Sequence, residues 1–247
     1  MLNLKTIQRR LRMPIYSAMK FTKFCYFLVA MVLISCGNTN NSKPTPEKSA
    51  QKTSESEAQA TATKTILFFG DSITAGYGLD DVNDAYPALI QNKIDSLDLN
   101  YEVVNSGVSG ETTAGGRSRI DWILNQDIDV FVLELGANDG LRGVPLTETR
   151  ANLQAIINAV RAKSPYTKII LAGMQLPPNF GKDYATEFKT IFPELAAKNN
   201  TELIPFILED VGGIPALNQV DGIHPTVEGH QLVAETVWEV LRGVVVE

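Results

Sequence analysis

Short apolar runs alternate with amphipathic stretches along most of the chain. Five runs rich in β-branched and aromatic residues predict strands at Thr65–Phe69, Tyr101–Val104, Val130–Leu135, Lys168–Ala172 and Glu202–Ile207. Several runs are apolar at consecutive positions, which is typical of strands covered on both faces. The runs therefore indicate the buried strands of a single sheet.

Helical periodicity fills the intervals between these runs. It predicts helices at Ala85–Leu97, Thr112–Leu124, Leu146–Lys163, Tyr184–Lys198 and Thr226–Arg242. In the third, Leu153, Ile156, Ile157 and Val160 share one face. The alternation of strand and helix predicts a three-layer α/β fold, with a five-stranded parallel sheet and helices on both faces.

The first 35 residues follow a different pattern. They carry six basic side chains and no acidic one, and they end in the apolar stretch Phe24–Ile34. That stretch is shorter than the roughly 20 residues that a membrane-spanning helix needs. We therefore predict a signal peptide over residues 1–35. Because Met19 would begin a signal of ordinary length, residues 1–18 can be an upstream start-site artefact.

The end of this signal carries a lipidation motif. Leu33, Ile34, Ser35 and Cys36 resemble a bacterial lipobox, in which the cysteine becomes the lipidated first residue. This motif predicts an exported bacterial lipoprotein that is anchored to the membrane through Cys36. Gly37 stands where an Asp would be associated with inner-membrane retention, so by analogy we expect the outer membrane, facing the periplasm. The alternative is a plain cleavable signal followed by an incidental cysteine.

Composition divides the rest of the chain. Residues 37–63 contain no aromatic residue and no Val, Ile, Leu or Met. Such a segment cannot bury enough apolar surface to offset the entropy of ordering it. We therefore predict a disordered tether over residues 36–63 and one folded domain over residues 64–247.

Charge and cysteine content limit the partners of this domain. The whole chain has a net charge of −6, and loss of residues 1–35 leaves 16 basic against 28 acidic side chains. So acidic a surface repels phosphate backbones, which argues against binding to nucleic acid. Cleavage also leaves Cys36 as the only cysteine, so no intrachain disulfide is expected. We expect a monomer.

Four polar, glycine-bearing loops lie next to predicted strands or helices. "GDS" with Ser72 follows the first strand, "NSGVSGET" the second and "GANDG" the third, whereas "DGIHP" precedes the last helix. In open α/β sheets, ligands bind beyond the carboxyl ends of the strands. The loops are therefore expected to converge on one edge of the sheet.

Ser72 can be a turn residue, a helix cap or a nucleophile. As a nucleophile it needs a base, and the chain offers only His224 and His230. His224 lies three residues after Asp221, a spacing at which the carboxylate can meet the imidazole ring in a tight turn. His230 falls inside the last predicted helix and reads as an ordinary helical residue.

An oxyanion would need donors at these same loops. Ser72 begins a helix, so its backbone N–H is free; Gly110 can bring its N–H close, and Asn138 offers an amide. The alternatives are that Gly110 is only a turn glycine and Asn138 only a turn residue. Asp71 is interpreted as hydrogen-bond support for the turn and is not assigned to catalysis.

Taken together, "GDSIT", the glycine of "VSGET", "GAND" and "DGIH" resemble the four sequence blocks of the SGNH, or GDSL-type, hydrolases. The resemblance covers nearly all of residues 64–242. It implies the flavodoxin-like SGNH hydrolase fold. It also implies a catalytic Ser72, Asp221 and His224, and an oxyanion hole of Ser72, Gly110 and Asn138. "LGANDGLRG" and "MQLPPNFG" resemble the bacterial periplasmic thioesterase, lysophospholipase and arylesterase subgroup.

Small departures from the family pattern leave these positions untouched. Many members have Leu-Ser where this chain has Ile73-Thr74, and Gly-Gly where it has Gly136-Ala137. Thr74 also means that the chain lacks the GxSxG nucleophile elbow of the α/β-hydrolases.

The resemblance implies an esterase that hydrolyses carboxylic esters or thioesters of small acyl substrates through an acyl-enzyme on Ser72, without a cofactor. A carbohydrate O-deacetylase of the same family is the alternative, although the chain has no added carbohydrate-binding module. A non-catalytic ligand-binding protein would have no reason to pair Asp221 with His224.

The chain has neither a Walker motif nor GxGxxG, so nucleotide binding is not expected. Two histidines and one cysteine disfavour a metal site. Acyl length is expected to depend on the loops after Asn138 and around Leu176–Lys182.

Overall fold

The structure is a computed structural model, and it describes residues 62–246. A single parallel sheet organises this part of the chain. The predicted signal, Cys36 and nearly all of the predicted tether lie outside these residues. The strands, numbered β1 to β5 along the chain, are Lys64–Gly70, Tyr101–Gly107, Val130–Glu134, Lys168–Ala172 and Glu202–Ile204. Their order in the sheet is β2-β1-β3-β4-β5, the flavodoxin-like order.

Within residues 62–246, seven α-helices connect or follow the strands. Numbered α1 to α7, they are Ser72–Ala75, Tyr86–Ser96, Thr113–Ile123, Ala137–Leu141, Leu146–Lys163, Lys182–Asn199 and Val227–Val245. Short 3-10 helices lie at Val82–Asp84, Pro178–Phe180 and Pro215–Leu217. Among the described residues, no helix is both long enough and apolar enough to span a membrane.

The long helices form two groups, one on each face of the sheet. Helix α2 packs against α7, whereas α3 packs against α5 and α5 against α6. The connection from β1 to β2 crosses the sheet in the opposite direction from the later connections. Because such crossovers are right-handed, the two groups lie on opposite faces. The predicted three-layer α/β fold is confirmed.

The core lies on both sides of the central strands. Every residue of β3 is buried, and in β1 all residues from Ile66 to Gly70 are buried. Phe68 packs edge-on against Tyr86 of α2, and Phe69 packs against Phe131 of β3. The continuous apolar runs in the sequence therefore correspond to strands covered by helices on both faces.

Several elements differ from their predicted bounds: β2 continues to Gly107 rather than Val104, and α7 to Val245 rather than Arg242. Strand β5 ends at Ile204 rather than Ile207: Gly173 N still donates to Ile204 O, but Gly173 O accepts from Ile207 N, one residue beyond the position that a regular parallel ladder would use. Two short helices, α1 and α4, occupy segments that the pattern leaves as loops. Both are too short to show helical periodicity, and both begin directly beyond a central strand.

Candidate active site

Ser72 lies where β1 turns into α1. Asp71 caps the helix, since its Oδ1 accepts a hydrogen bond from Ile73 N at 3.1 Å. The strand ends at Gly70, where an added Cβ would collide with side-chain atoms of Thr74 and Glu134. This close approach requires glycine, and it sets the turn that carries the serine.

Ser72, His224 and Asp221 form one chain of hydrogen bonds. His224 Nε2 lies 2.9 Å from Ser72 Oγ, and His224 Nδ1 lies 2.7 Å from Asp221 Oδ2. Because the carboxylate accepts at Nδ1, that nitrogen carries the proton and Nε2 presents its lone pair to the hydroxyl. In this arrangement an imidazole can remove the proton of a serine hydroxyl.

Asp221 is held in a tight turn. Its Oδ1 accepts from the backbone N–H groups of Ile223 and His224, at 3.0 and 3.1 Å. Burial raises the pKa of Asp221, but the hydrogen bonds from the His224 ring and from these two N–H groups more than offset it, so the pKa lies below its ordinary value. The carboxylate is therefore ionised at neutral pH and orients the ring.

The loop that carries His224 is fastened to the loop after α1. Gln219 Nε2 donates to Tyr77 O at 2.7 Å and to Pro225 O at 3.0 Å, and Gln219 N donates to His224 O. The Tyr77 ring lies 4.6 Å from the His224 ring, centroid to centroid. Gln219 and Tyr77 thus hold the imidazole over Ser72. Sequence reasoning missed both residues, because neither has a distinctive motif.

Three N–H donors border the same space. Ser72 is the first residue of α1, so no helical carbonyl accepts from its N–H. Gly110 has a φ of +77°, which favours glycine, and no described group accepts a hydrogen bond from its N–H. Asn138 Nδ2 donates one of its two hydrogens to Asp71 Oδ2 at 3.0 Å. Its second hydrogen stays available.

Asn138 lies in a short helix rather than in the predicted loop. Gly136 directly precedes α4 and has a φ of +125°, and Gly140 N donates to Gly136 O to form the first turn of the helix. Arg142, directly after α4, donates from Nη2 to Asn138 Oδ1 at 3.2 Å and to Gly110 O at 2.9 Å. One guanidinium therefore links the Asn138 side chain to the Gly110 loop.

A sequence model of the GDSL-like lipase/acylhydrolase family matches residues 68–232, a range that includes all of these side chains. The chain belongs to this GDSL family. The predicted family membership is confirmed.

Two relatives of this GDSL hydrolase are named as ester or thioester hydrolases. Esterase TesA of Pseudomonas aeruginosa is 40% identical over 185 residues, which cover 74% of this chain and 90% of the relative. Thioesterase 1/protease 1/lysophospholipase L1 of Escherichia coli is 36% identical over 188 residues, which cover 76% and 88%. A crystal structure of TesA matches with a TM-score of 0.70 at 39% identity, covering 73% of this chain and 99% of that one.

The space beside Ser72 is a cleft of about 650 Å³. Ser72, Gly110, Asn138 and His224 are among the residues that line it. Its other walls are mainly apolar, and they include Ile73, Leu141, Met174, Leu176, Phe206 and Leu208. The loops after Asn138 and around Leu176 were expected to form walls, whereas the contribution of Phe206 and Leu208 was not predicted. A second cavity of about 620 Å³, around Arg161 and Lys168, contains none of the four polar residues.

Two buried carboxyl groups lie directly beneath the GDSL serine. Burial raises the pKa of Asp71 to about 6, although hydrogen bonds from Ile73 N and Asn138 favour its charged form. Burial, followed by the charge of Asp71, raises the pKa of Glu134 well above its ordinary value. Glu134 Oε2 accepts from Asp71 N and from Thr74 Oγ1, while Oε1 has no described partner. Burial thus makes both carboxyl groups hold a proton more readily than an exposed carboxyl group does.

His230 lies away from the cleft, in α7. It is 1% exposed, its Nδ1 accepts from Tyr86 N at 3.3 Å, and its ring stacks on the Tyr86 ring. It therefore packs as a core residue of the GDSL fold. Among the described residues, no group of three or more His, Cys, Asp or Glu side chains is placed to hold a metal ion.

Proposed function

We propose that the protein hydrolyses carboxylic esters and thioesters of acyl groups, with Ser72 as the nucleophile. The observation that carries this proposal is the chain from Ser72 Oγ through His224 to Asp221, which opens into the cleft. His224 Nε2 takes the hydroxyl proton while Oγ attacks the carbonyl carbon. Asp221 stabilises the imidazolium that forms.

Negative charge then develops on the carbonyl oxygen of the substrate. The backbone N–H of Ser72, the backbone N–H of Gly110 and the Asn138 amide stabilise this oxyanion. All three are held by surrounding structure before the substrate arrives, so they need little reorganisation during the reaction. Each such donor contributes about 3–4 kcal/mol of transition-state stabilisation in serine hydrolases.

Collapse of this intermediate releases the alcohol or thiol, to which His224 returns the proton. The acyl group remains on Ser72 Oγ as an ester. His224 then takes a proton from water, which attacks the acyl carbonyl and releases the carboxylic acid. The serine proton is restored, so the cycle consumes only substrate and water and needs no cofactor.

The cleft supports an acyl chain as the group that is bound. Leu176, Phe206 and Leu208 give it apolar walls, which bind alkyl or aryl groups by removing them from water. The names of the relatives, an esterase and a thioesterase and lysophospholipase, point to the same substrate class.

Labelling and turnover test the role of Ser72 together. A fluorophosphonate probe should label the protein once, and Ser72→Ala should remove both the label and the hydrolysis of p-nitrophenyl esters. Ser118→Ala is the matched control, because its hydroxyl is exposed on α3 and bonds only to Gly115 O. Persistent labelling or turnover in Ser72→Ala would contradict the proposal. Esters of increasing chain length, acyl-CoA, lysophospholipid and acetylated sugars then separate the acyl classes.

We also propose where this enzyme acts. The lipobox ending at Cys36 supports a lipoprotein anchored in the outer membrane, facing the periplasm, with residues 36–63 as the tether of a monomeric domain. The acidic surface supports the absence of nucleic-acid partners. A palmitate analogue should label the wild-type protein but not Cys36→Ser. A wild-type protein that takes up no label would refute the anchor.

A further inference from the structure

The Asn138 amide is held from both of its ends. Asp71 Oδ2 accepts a hydrogen bond from Nδ2 at 3.0 Å, and Arg142 Nη2 donates one to Oδ1 at 3.2 Å. A carboxylate only accepts hydrogen bonds and a guanidinium only donates them. A half-turn of the amide would therefore face oxygen against carboxylate and N–H against guanidinium. Only the orientation with Nδ2 toward Asp71 satisfies both neighbours.

Asp71 has more contacts than a helix cap requires. Its side chain is fully buried, and Oδ1 alone supplies the cap by accepting from Ile73 N at 3.1 Å. Oδ1 also lies 3.5 Å from Ser72 Oγ, a long contact at the limit of a hydrogen bond. The second oxygen, Oδ2, faces Asn138. Since an uncharged serine or asparagine caps a helix equally well, a buried charge here is explained by the second oxygen rather than by the cap.

We propose that Asp71 is a positioning residue that fixes the rotation of the Asn138 amide, so that its second Nδ2 hydrogen points at the substrate oxyanion. The inference rests on the proposed role of Asn138 as an oxyanion donor. Both hydrogens of an amide nitrogen lie in its plane, so fixing one of them on Asp71 Oδ2 also fixes the other. A donor aimed in advance contributes to the transition state without reorganisation.

Replacement of one oxygen of Asp71 should be enough to lose this effect. In Asp71→Asn the remaining oxygen can either cap α1 or face Asn138, but it cannot do both. If it caps the helix, an NH₂ group faces Asn138 Nδ2, and two donors meet. In Asp71→Ser the hydroxyl can still cap Ile73 N, but no atom reaches Asn138. Asp71→Ser thus keeps a capping group and removes the positioning oxygen, and Asp71→Asn does the same in the orientation in which its oxygen caps α1.

A double-mutant cycle on kcat for a p-nitrophenyl ester tests this inference. Asn138→Ala should lower kcat by about 10²–10³-fold and leave KM nearly unchanged. Asp71→Asn and Asp71→Ser should each lower kcat by about tenfold or more, up to the Asn138→Ala loss, again with little change in KM. In the Asn138→Ala background, the Asp71 changes should cost less than about threefold more, because the amide on which they act is gone.

The matched control is Asp81→Asn. Asp81 caps the 3-10 helix Val82–Asp84 in the same way, with Oδ1 accepting from Asn83 N at 2.8 Å, but it is exposed and does not line the cleft. It should keep wild-type kcat. If Asp71→Asn does not fold, as judged by circular dichroism, Asp71→Ser provides the cycle.

Two results would overturn the inference, and they differ in what they say of the proposed function. The first result is that the fold-reductions of kcat caused by the Asp71 and Asn138 changes multiply in the double variant. Asp71 would then act on the helix or on Ser72, while Asn138 would keep its role. Wild-type kcat in Asn138→Ala would remove the oxyanion role of Asn138 and the inference with it. Neither result bears on Ser72, which the labelling experiment tests separately.

Discussion

The buried histidine His230 predicts a specific loss of stability in acid. It is neutral in the folded protein, since its Nδ1 accepts a hydrogen bond from Tyr86 N and its ring is 1% exposed. Burial, and then the nearby charge of His224, lowers the pKa of His230 from 6.5 to about 4. Protonation would place a charge in the core and remove the acceptor for Tyr86. The proposed perturbation is His230→Gln, whose side-chain oxygen can accept from the same N–H.

The size of the effect follows from the two pKa values. A group with a folded pKa below its unfolded pKa stabilises the fold fully above the unfolded value, and this contribution falls as the pH drops toward the folded value. From 6.5 unfolded to about 4 folded, the loss is about 2 kcal/mol by pH 5 and about 3 kcal/mol by pH 4. The window therefore lies between pH 6.5 and pH 4.

Urea unfolding of both proteins, at intervals from pH 7.5 to pH 4, measures this loss. Asp71, Glu134 and Asp221 titrate in both proteins, so their contributions largely cancel in the difference between wild type and His230→Gln. That difference should shift by about 3 kcal/mol in favour of the variant as the pH falls. If the free energies of unfolding of the two proteins stay parallel from pH 7.5 to pH 4, the buried, neutral state of His230 is refuted.

Three other changes have clear expected outcomes. His224→Ala should lower kcat for p-nitrophenyl esters by about 10³-fold or more with an unchanged circular dichroism spectrum, because it lies on a loop; a larger loss in His230→Ala would mean that the base is misassigned. Gly70→Ala should lower the free energy of unfolding by about 1–3 kcal/mol in urea, since the added Cβ meets Thr74 and Glu134, and unchanged stability would contradict this. Phe188→Ala should cost about 3–5 kcal/mol of stability, as expected for a fully buried ring; a loss under 1 kcal/mol would show that the core refills the space.

The strands were the most predictable part of the fold. A strand covered on both faces needs apolar residues at consecutive positions, and the β1 and β3 segments show this in the sequence. The short helices α1 and α4 were not predictable, because one turn carries no helical period. A glycine precedes each of them: Gly70, the last residue of β1, allows the close approach of Thr74, and Gly136, two residues after β3, has a φ of +125°.

The candidate site was predictable to the extent that its residues have uncommon chemistry. The chain has two histidines, and only His224 follows an aspartate at turn spacing. Asp71, Arg142 and Gln219 gave no comparable signal. Asp, Arg and Gln are common residue types at surfaces and in turns, so only the contacts of these three reveal a role. Asp71 and Arg142 bind the two ends of the Asn138 amide, and Gln219 fastens the His224 loop.

The sequence by itself determined which segments form strands, which edge of the sheet carries the polar loops and which reactive groups those loops bring. These are local properties, set by periodicity and by residue type. Only the tertiary structure decided how the groups are aimed. Ser72 and His224 are 152 residues apart, and Asp71 and Asn138 are 67 apart. The rotation of a ring or an amide depends on contacts of a few ångströms between such distant segments, and no local pattern records them.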